Sequence, residues 1–101
     1  MRIEDWRRKI EEIDLKLVEL LNDRATCALE IGRIKHADNL PIYQPERERE
    51  IFENAQRANH GPLDHTAIRR LFERILDEAR SLERTERYQV APHAKDGKPE
   101  N

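Results

Sequence analysis

Cysteine is nearly missing from this 101-residue chain, and Cys27, standing alone, has no partner for an intrachain disulfide. The four histidines, at positions 36, 60, 65 and 93, show no ligand pairing at helical spacing, so no zinc site is expected. Glycine is scarce as well, with three residues all beyond position 31, and valine and threonine are few. That shortage of turn and strand formers argues against a β-sandwich or a βαβ unit. No run of about 18 apolar residues occurs, which excludes a membrane-spanning helix. The opening residues Met1, Arg2, Ile3, Glu4 and Asp5 lack the apolar core of a secretory signal, so a cytoplasmic location is expected. An excess of one charge is also absent. Nineteen Lys and Arg against 21 Asp and Glu leave a formal net of -2, without the basic surplus that phosphate-backbone binding requires, and no nucleic-acid partner is expected.

What is present is periodicity. Charged residues make up 40% of the chain and hydrophobic ones 37%, a balance compatible with disorder, yet Leu and Ile recur at helical intervals, which requires a packed fold. The class is all-α, in one small domain. From Ile3 to about Ala37 there is no proline and only Gly32, so one long helix is predicted. Its apolar residues fall at Trp6, Ile10, Ile13, Leu17, Leu20, Cys27, Ile31 and Ile34, a 4-3-4-3 rhythm interrupted where Arg24 stands. A neighbouring line of the same rhythm carries Arg7, Asp14, Arg24 and Lys35 among its Ile and Leu. Three cations and one carboxylate therefore occupy a face that ought to be buried.

A helix of that length spans roughly 50 Å at ~1.5 Å per residue, whereas a globule of this size has a radius of gyration near ~13 Å. The overhanging apolar stripe calls for a partner, and a homodimer of packed or intertwined long helices is the economical one. Residues 38–45 form a loop ending in Pro45, near the first position of a second helix, from about Glu46 to Asn59, with Ile51, Phe52 and Ala55 on its inner face. Asp64 is the expected N-cap of a third helix reaching about Tyr88, whose inner face reads Ile68, Leu71, Phe72, Ile75, Leu76, Ala79 and Leu82, with Glu83 continuing the stripe. The helical domain thus spans 1–88, and residues 89–101, rich in Pro, Gly, Lys, His and Asp without periodicity, are expected to form a disordered tail.

Arg24 and Lys35 lie 11 residues apart, within about 20° of one face and ~16 Å apart along the axis, so their side chains could grip opposite ends of one small dianion. Arg7, ~25 Å from Arg24 along the rod, could join them only from a partner subunit. Asp14 on the same stripe reads as a structural partner for one of these cations. Each position also has a plainer explanation. Polar residues in long helical stripes fix register, arginines at stripe edges reach out to water, Arg47 and Glu48 suit a solvated first turn, Glu83 alone would be an ordinary exposed glutamate, and Cys27 is a small core residue.

Taken in order, the segments R-x-x-I-x-x-I-D-x-x-L-x-x-L-L-x-x-R from Arg7 to Arg24, E-I-G-x-x-K from Glu30 to Lys35, Pro41 with Ile42, and R-E-R at residues 47–49 closely resemble the all-helical, type II chorismate mutases over about residues 5–88. The resemblance implies an intertwined dimer of three-helix subunits that rearranges the dicarboxylate chorismate to prephenate, on the way to phenylalanine and tyrosine, with no cofactor or metal. It implies that Arg7 from the other subunit, Arg24 and Arg47 bind the substrate carboxylates and that Lys35 meets the ether oxygen. Glu48 would hold the ring hydroxyl, Gln44 would offer a main-chain contact, and Glu83 would be the second donor to the ether oxygen. Two positions depart from the pattern: some relatives carry Gln where Glu83 stands, and a serine that touches a substrate carboxylate is replaced by Ala79. Two other readings are carried forward, an isochorismate-pyruvate lyase on the same scaffold and a noncatalytic helical dimerisation module.

Overall fold

The computed structural model describes the backbone of residues 1–93 and the side chains of residues 1–87. Three helices follow one another, α1 (Ile3–Ala37), α2 (Pro45–Ala58) and α3 (His65–His93), with no strand among the described residues. α3 packs against both α1 and α2, while α1 and α2 do not pack on each other. The result is long and flat, 56 × 34 × 15 Å with a radius of gyration of 17.5 Å, well above the ~13 Å of a compact chain of this length. No helix among the described residues is long and apolar enough to cross a membrane.

The helix boundaries follow from local chemistry. At the start of α1 the Asp5 carboxylate accepts a 2.8 Å hydrogen bond from the Arg2 backbone N–H, satisfying a donor that the helix itself leaves open. α1 stops where Asn39 turns left-handed (φ 59). There the N–H of Leu40 reaches back to the Lys35 carbonyl at 2.7 Å and that of Asn39 to the His36 carbonyl at 3.3 Å, the paired bonds of a Schellman stop. This reversal matters for function, because it folds residues 40–42 back beside the last turn of α1. Pro45 opens α2 as its first helical residue, where the missing N–H costs nothing. Asp64 caps α3, its Oδ1 accepting from the Ala67 N–H at 2.8 Å. Gly61, at φ 79, supplies the left-handed turn between α2 and α3.

α3 runs to His93, five residues past the end expected at Tyr88, so the first part of the expected tail is helical. The expected disorder of the remainder, residues 94–101, lies outside the described residues.

Packing is uneven along α1. Among the described residues the only buried apolar side chains are Ala28 and Leu76, and they sit beside the buried charged residues Lys35 and Glu83. The stripe that the periodicity marks for burial in the first half of α1 is open instead: Trp6, Ile10, Ile13, Leu17 and Leu20 are each at least half exposed in the single chain. Leu71, expected on the inner face of α3, is also half exposed, whereas Ile68, Phe72, Ile75 and Leu82 are partly covered as expected. Cys27 is exposed rather than a core residue. On the outer surfaces, ion pairs such as Arg8–Asp5, Arg49–Glu46 and Arg69–Glu73 link adjacent helical turns and contribute about 0.3–0.5 kcal/mol each.

Candidate active site

Where the three helices meet the 38–44 loop, they enclose a cleft of about 500 Å³. α1 supplies Arg24 and Lys35, the loop supplies Ile42 and Gln44, α2 supplies Arg47 and Glu48, and α3 supplies Arg80 and Glu83. Six of the seven residues singled out in the sequence line this one space. The seventh, Arg7, does not. It is exposed far along α1 and pairs with Glu4 at 3.1 Å.

The floor is a buried ion pair. Lys35 and Glu83 are 9% and 7% exposed, and Lys35 Nζ donates to Glu83 Oε1 at 3.1 Å and to the Ile42 carbonyl at 2.8 Å. The second bond exists because the Schellman turn brings residue 42 back over the end of α1. An ammonium has three N–H donors, so two fixed bonds leave Lys35 one for an incoming acceptor. Removing either member of such a pair strands a buried charge, at a cost of about 3–5 kcal/mol.

Gly32 allows this floor to form. It is buried one turn before Lys35, and a Cβ built there would stand 2.9 Å from Glu83 Cγ and 3.3 Å from Glu83 Cβ. Only a residue without a side chain admits α3 this close to α1, which offsets the ~1 kcal/mol that a mid-helix glycine forfeits relative to alanine.

The walls are cationic. Arg24 is half-buried and makes no ion pair among the described residues, so its guanidinium is available to a ligand. Arg47 stands at the exposed rim, paired with Glu50 at 3.1 Å. Asp14, expected to neutralise one of the stripe cations, makes no ion pair within the chain among the described residues. Counting Arg24, Lys35, Arg47 and Arg80 against Glu48 and Glu83, the cleft carries a surplus of two positive charges.

Sequence reasoning missed Arg80. Its guanidinium bonds to Glu48 of α2 and to Asp77 of its own helix, and lies 5.6 Å from the centre of the Tyr43 ring. The hydrogen bond to Glu48 holds the guanidinium above its ordinary pKa, against the opposing effect of burial, so it is a cation at every accessible pH. The available signal was spacing: Leu76, Arg80 and Glu83 follow a 4-3 line down α3. The apolar stripe ending in Ala79 and Leu82 masked it.

The family model described as chorismate mutase type II matches residues 6–84. The chain is 41% identical over 86 residues to a bifunctional chorismate mutase/prephenate dehydratase of Aquifex aeolicus, covering 81% of this chain and 24% of that protein. It is 27% identical over 85 residues to a chorismate mutase of Methanocaldococcus jannaschii, covering 82% of this chain and 85% of that one. Among solved structures, a chorismate mutase from Thermus thermophilus superposes with a TM-score of 0.81 at 32% identity, covering 83% of this chain and 96% of the other. A chorismate mutase from Helicobacter pylori in complex with prephenate gives 0.77 at 27% identity, with 83% and 91% covered. The chain spans about a quarter of the length of the bifunctional relatives it matches.

Proposed function

The chain belongs to the type II chorismate mutase family, and on that footing we propose that it rearranges chorismate to prephenate, a cytoplasmic step toward phenylalanine and tyrosine. The reaction is a unimolecular pericyclic shift. Its chemistry calls for a site that selects the folded, chair-like conformer of a dianion and stabilises the charge that builds on the ether oxygen as the carbon–oxygen bond breaks. The observation that carries the reading is the cleft floor: a buried Lys35 with one N–H unspent, beneath walls that include the unpaired Arg24.

In this reading Arg24 and Arg47 take the two carboxylates, with planar guanidinium groups that select one substrate geometry. Lys35 gives its third N–H to the ether oxygen, a contact worth about 3–4 kcal/mol in the transition state. Glu83 is the second group at the ether oxygen, and its Oε1 accepts from Lys35. Glu48 accepts from the ring hydroxyl, and the backbone at Gln44 adds a polar contact at the cleft edge. The net positive surplus suits a doubly negative ligand.

The active form is a homodimer. The open stripe from Trp6 to Leu20 supports this reading, since leaving so many large apolar side chains in water forfeits about 1.5–3 kcal/mol for each that could be fully buried. Pairing the long helices would bring Arg7 of the partner subunit to the cleft, which Arg7 of the same chain, ~25 Å from Arg24, cannot reach. The decisive experiment is a spectrophotometric assay of purified protein with chorismate, with isochorismate in parallel. Disappearance of chorismate with formation of prephenate is expected. Salicylate and pyruvate from isochorismate alone would assign the lyase activity instead, and inertness toward both would leave only the dimerisation module.

A further inference from the structure

We propose that Arg80 is a positioning residue that sets Glu48 for recognition of the substrate's ring hydroxyl, an inference that rests on the mutase reading above. Arg80 is held at three points. Its two terminal nitrogens bond to different carboxylates, Nη1 to Glu48 Oε2 and Nη2 to Asp77 Oδ1, and its guanidinium lies 5.6 Å from the Tyr43 ring centre. Asp77 precedes Arg80 by three residues on α3, so the anchor is built into one helical turn, while Glu48 belongs to α2. Both members of the Arg80–Glu48 pair are about four-fifths buried at the cleft wall, with side-chain exposures of 22% and 18%.

The geometry divides the labour between the two carboxylate oxygens of Glu48. Oε2 is committed to Arg80, and Oε1 takes no hydrogen bond among the described residues, so it is the acceptor left for a hydroxyl in the cleft. Without Arg80, Glu48 would share the cleft with three other cations, Arg24, Lys35 and Arg47, and a carboxylate so placed pairs with whichever it reaches. Such a collapse would remove the hydroxyl acceptor and occupy a cation that the dianion needs. Arg80 therefore keeps Glu48 in place and keeps Arg24 open. An arginine suits this task better than a lysine, because its planar fork can satisfy two carboxylates in fixed directions, whereas an ammonium is a single point of charge.

The test compares two substrates that share both carboxylates and the ether linkage, chorismate and its analogue with hydrogen in place of the ring hydroxyl. Arg80→Met is expected to lower the ratio of kcat/KM for chorismate to that for the analogue by about tenfold or more, the usual discrimination of a site whose hydroxyl partner is lost. Arg80→Lys is expected to recover part of it. An Arg80 that bound a carboxylate directly would weaken both substrates equally, so a ratio within about twofold of wild type, in a variant with an unchanged melting profile, overturns the positioning role and leaves the mutase reading standing. If Arg80→Met does not fold, Arg80→Lys and Arg80→Gln carry the same ratio, and an unchanged ratio in both is equally fatal. Wild-type protein that converts neither compound overturns the mutase reading and this inference together.

Discussion

The two ends of α1 are opposites. From Arg24 to Lys35 the helix lies against α3 and encloses charge: Lys35 is among the best-buried side chains of the described residues, and Arg24 faces a cleft. From Ile3 to Leu21 the same helix, with the same heptad-like rhythm, holds its Ile, Leu and Trp side chains out to water. The buried residues of α1, Ala28, Gly32 and Lys35, all fall in the cleft half, where Ile31 and Ile34 stay exposed, and the apolar stripe of the first half is open, a pattern that hydrophobic burial alone would not select. Buried charge is costly unless it is paired, and exposed apolar area is costly unless it is covered. The difference supports the proposed division of α1, one half shaped for a ligand and the other for a second copy of the chain.

The most direct attack on the ligand half is Lys35→Ala, which removes the proposed donor to the ether oxygen and strands Glu83. Turnover efficiency is expected to fall at least about a hundredfold in steady-state assays, with a similar loss for Arg24→Ala. Near-normal kinetics in either would falsify the assignment of the cleft as the active site. The apolar half is challenged by Ile13→Asp. Sedimentation should then report monomer, and activity should fall by about tenfold or more with the interior of the cleft untouched, because in the proposed dimer Arg7 comes from the other subunit. A fully active monomer would mean that the two halves are independent.

Gly32→Ala sharpens the comparison inside the ligand half. The added methyl meets Glu83 Cγ at 2.9 Å, so Glu83 must shift by a few tenths of an ångström. A drop of about tenfold in kcat is expected with little change in melting temperature, since the gain in helix propensity, ~1 kcal/mol, offsets the crowding. At the bottom of the scale, Glu50→Ala breaks only the rim pair with Arg47, and chemical denaturation should show a change within about 0.5 kcal/mol.

Much of this was legible beforehand, for reasons that differ by residue. The span of α1 could be read because Ile3–Ala37 contains no proline and ends at Asp38 and Asn39, residues suited to a helix stop. The α3 cap could be read because Asp64 has the side chain an N-cap needs. Lys35 and Arg24 stood out as charges interrupting an apolar rhythm. Arg80 did not, because an arginine beside an apolar stripe looks like any surface arginine until α2 brings Glu48 against it. The end of α3 was set too early, at Tyr88, because Pro92 and the polar composition that follows read as a break, and the backbone remains helical to His93.

By itself the amino-acid order determined three helices, their limits to within a few residues, and a face on which cations and hydrophobic residues alternate. These are local properties, set by periodicity, capping and proline placement. Only tertiary structure decided that Lys35 would find Glu83, that Gly32 would be the point of closest approach, and that Arg80 would hold Glu48. Each of those contacts joins residues on different helices, 32 to 51 positions apart. Such distances are closed by packing, and no local preference along a single chain encodes them.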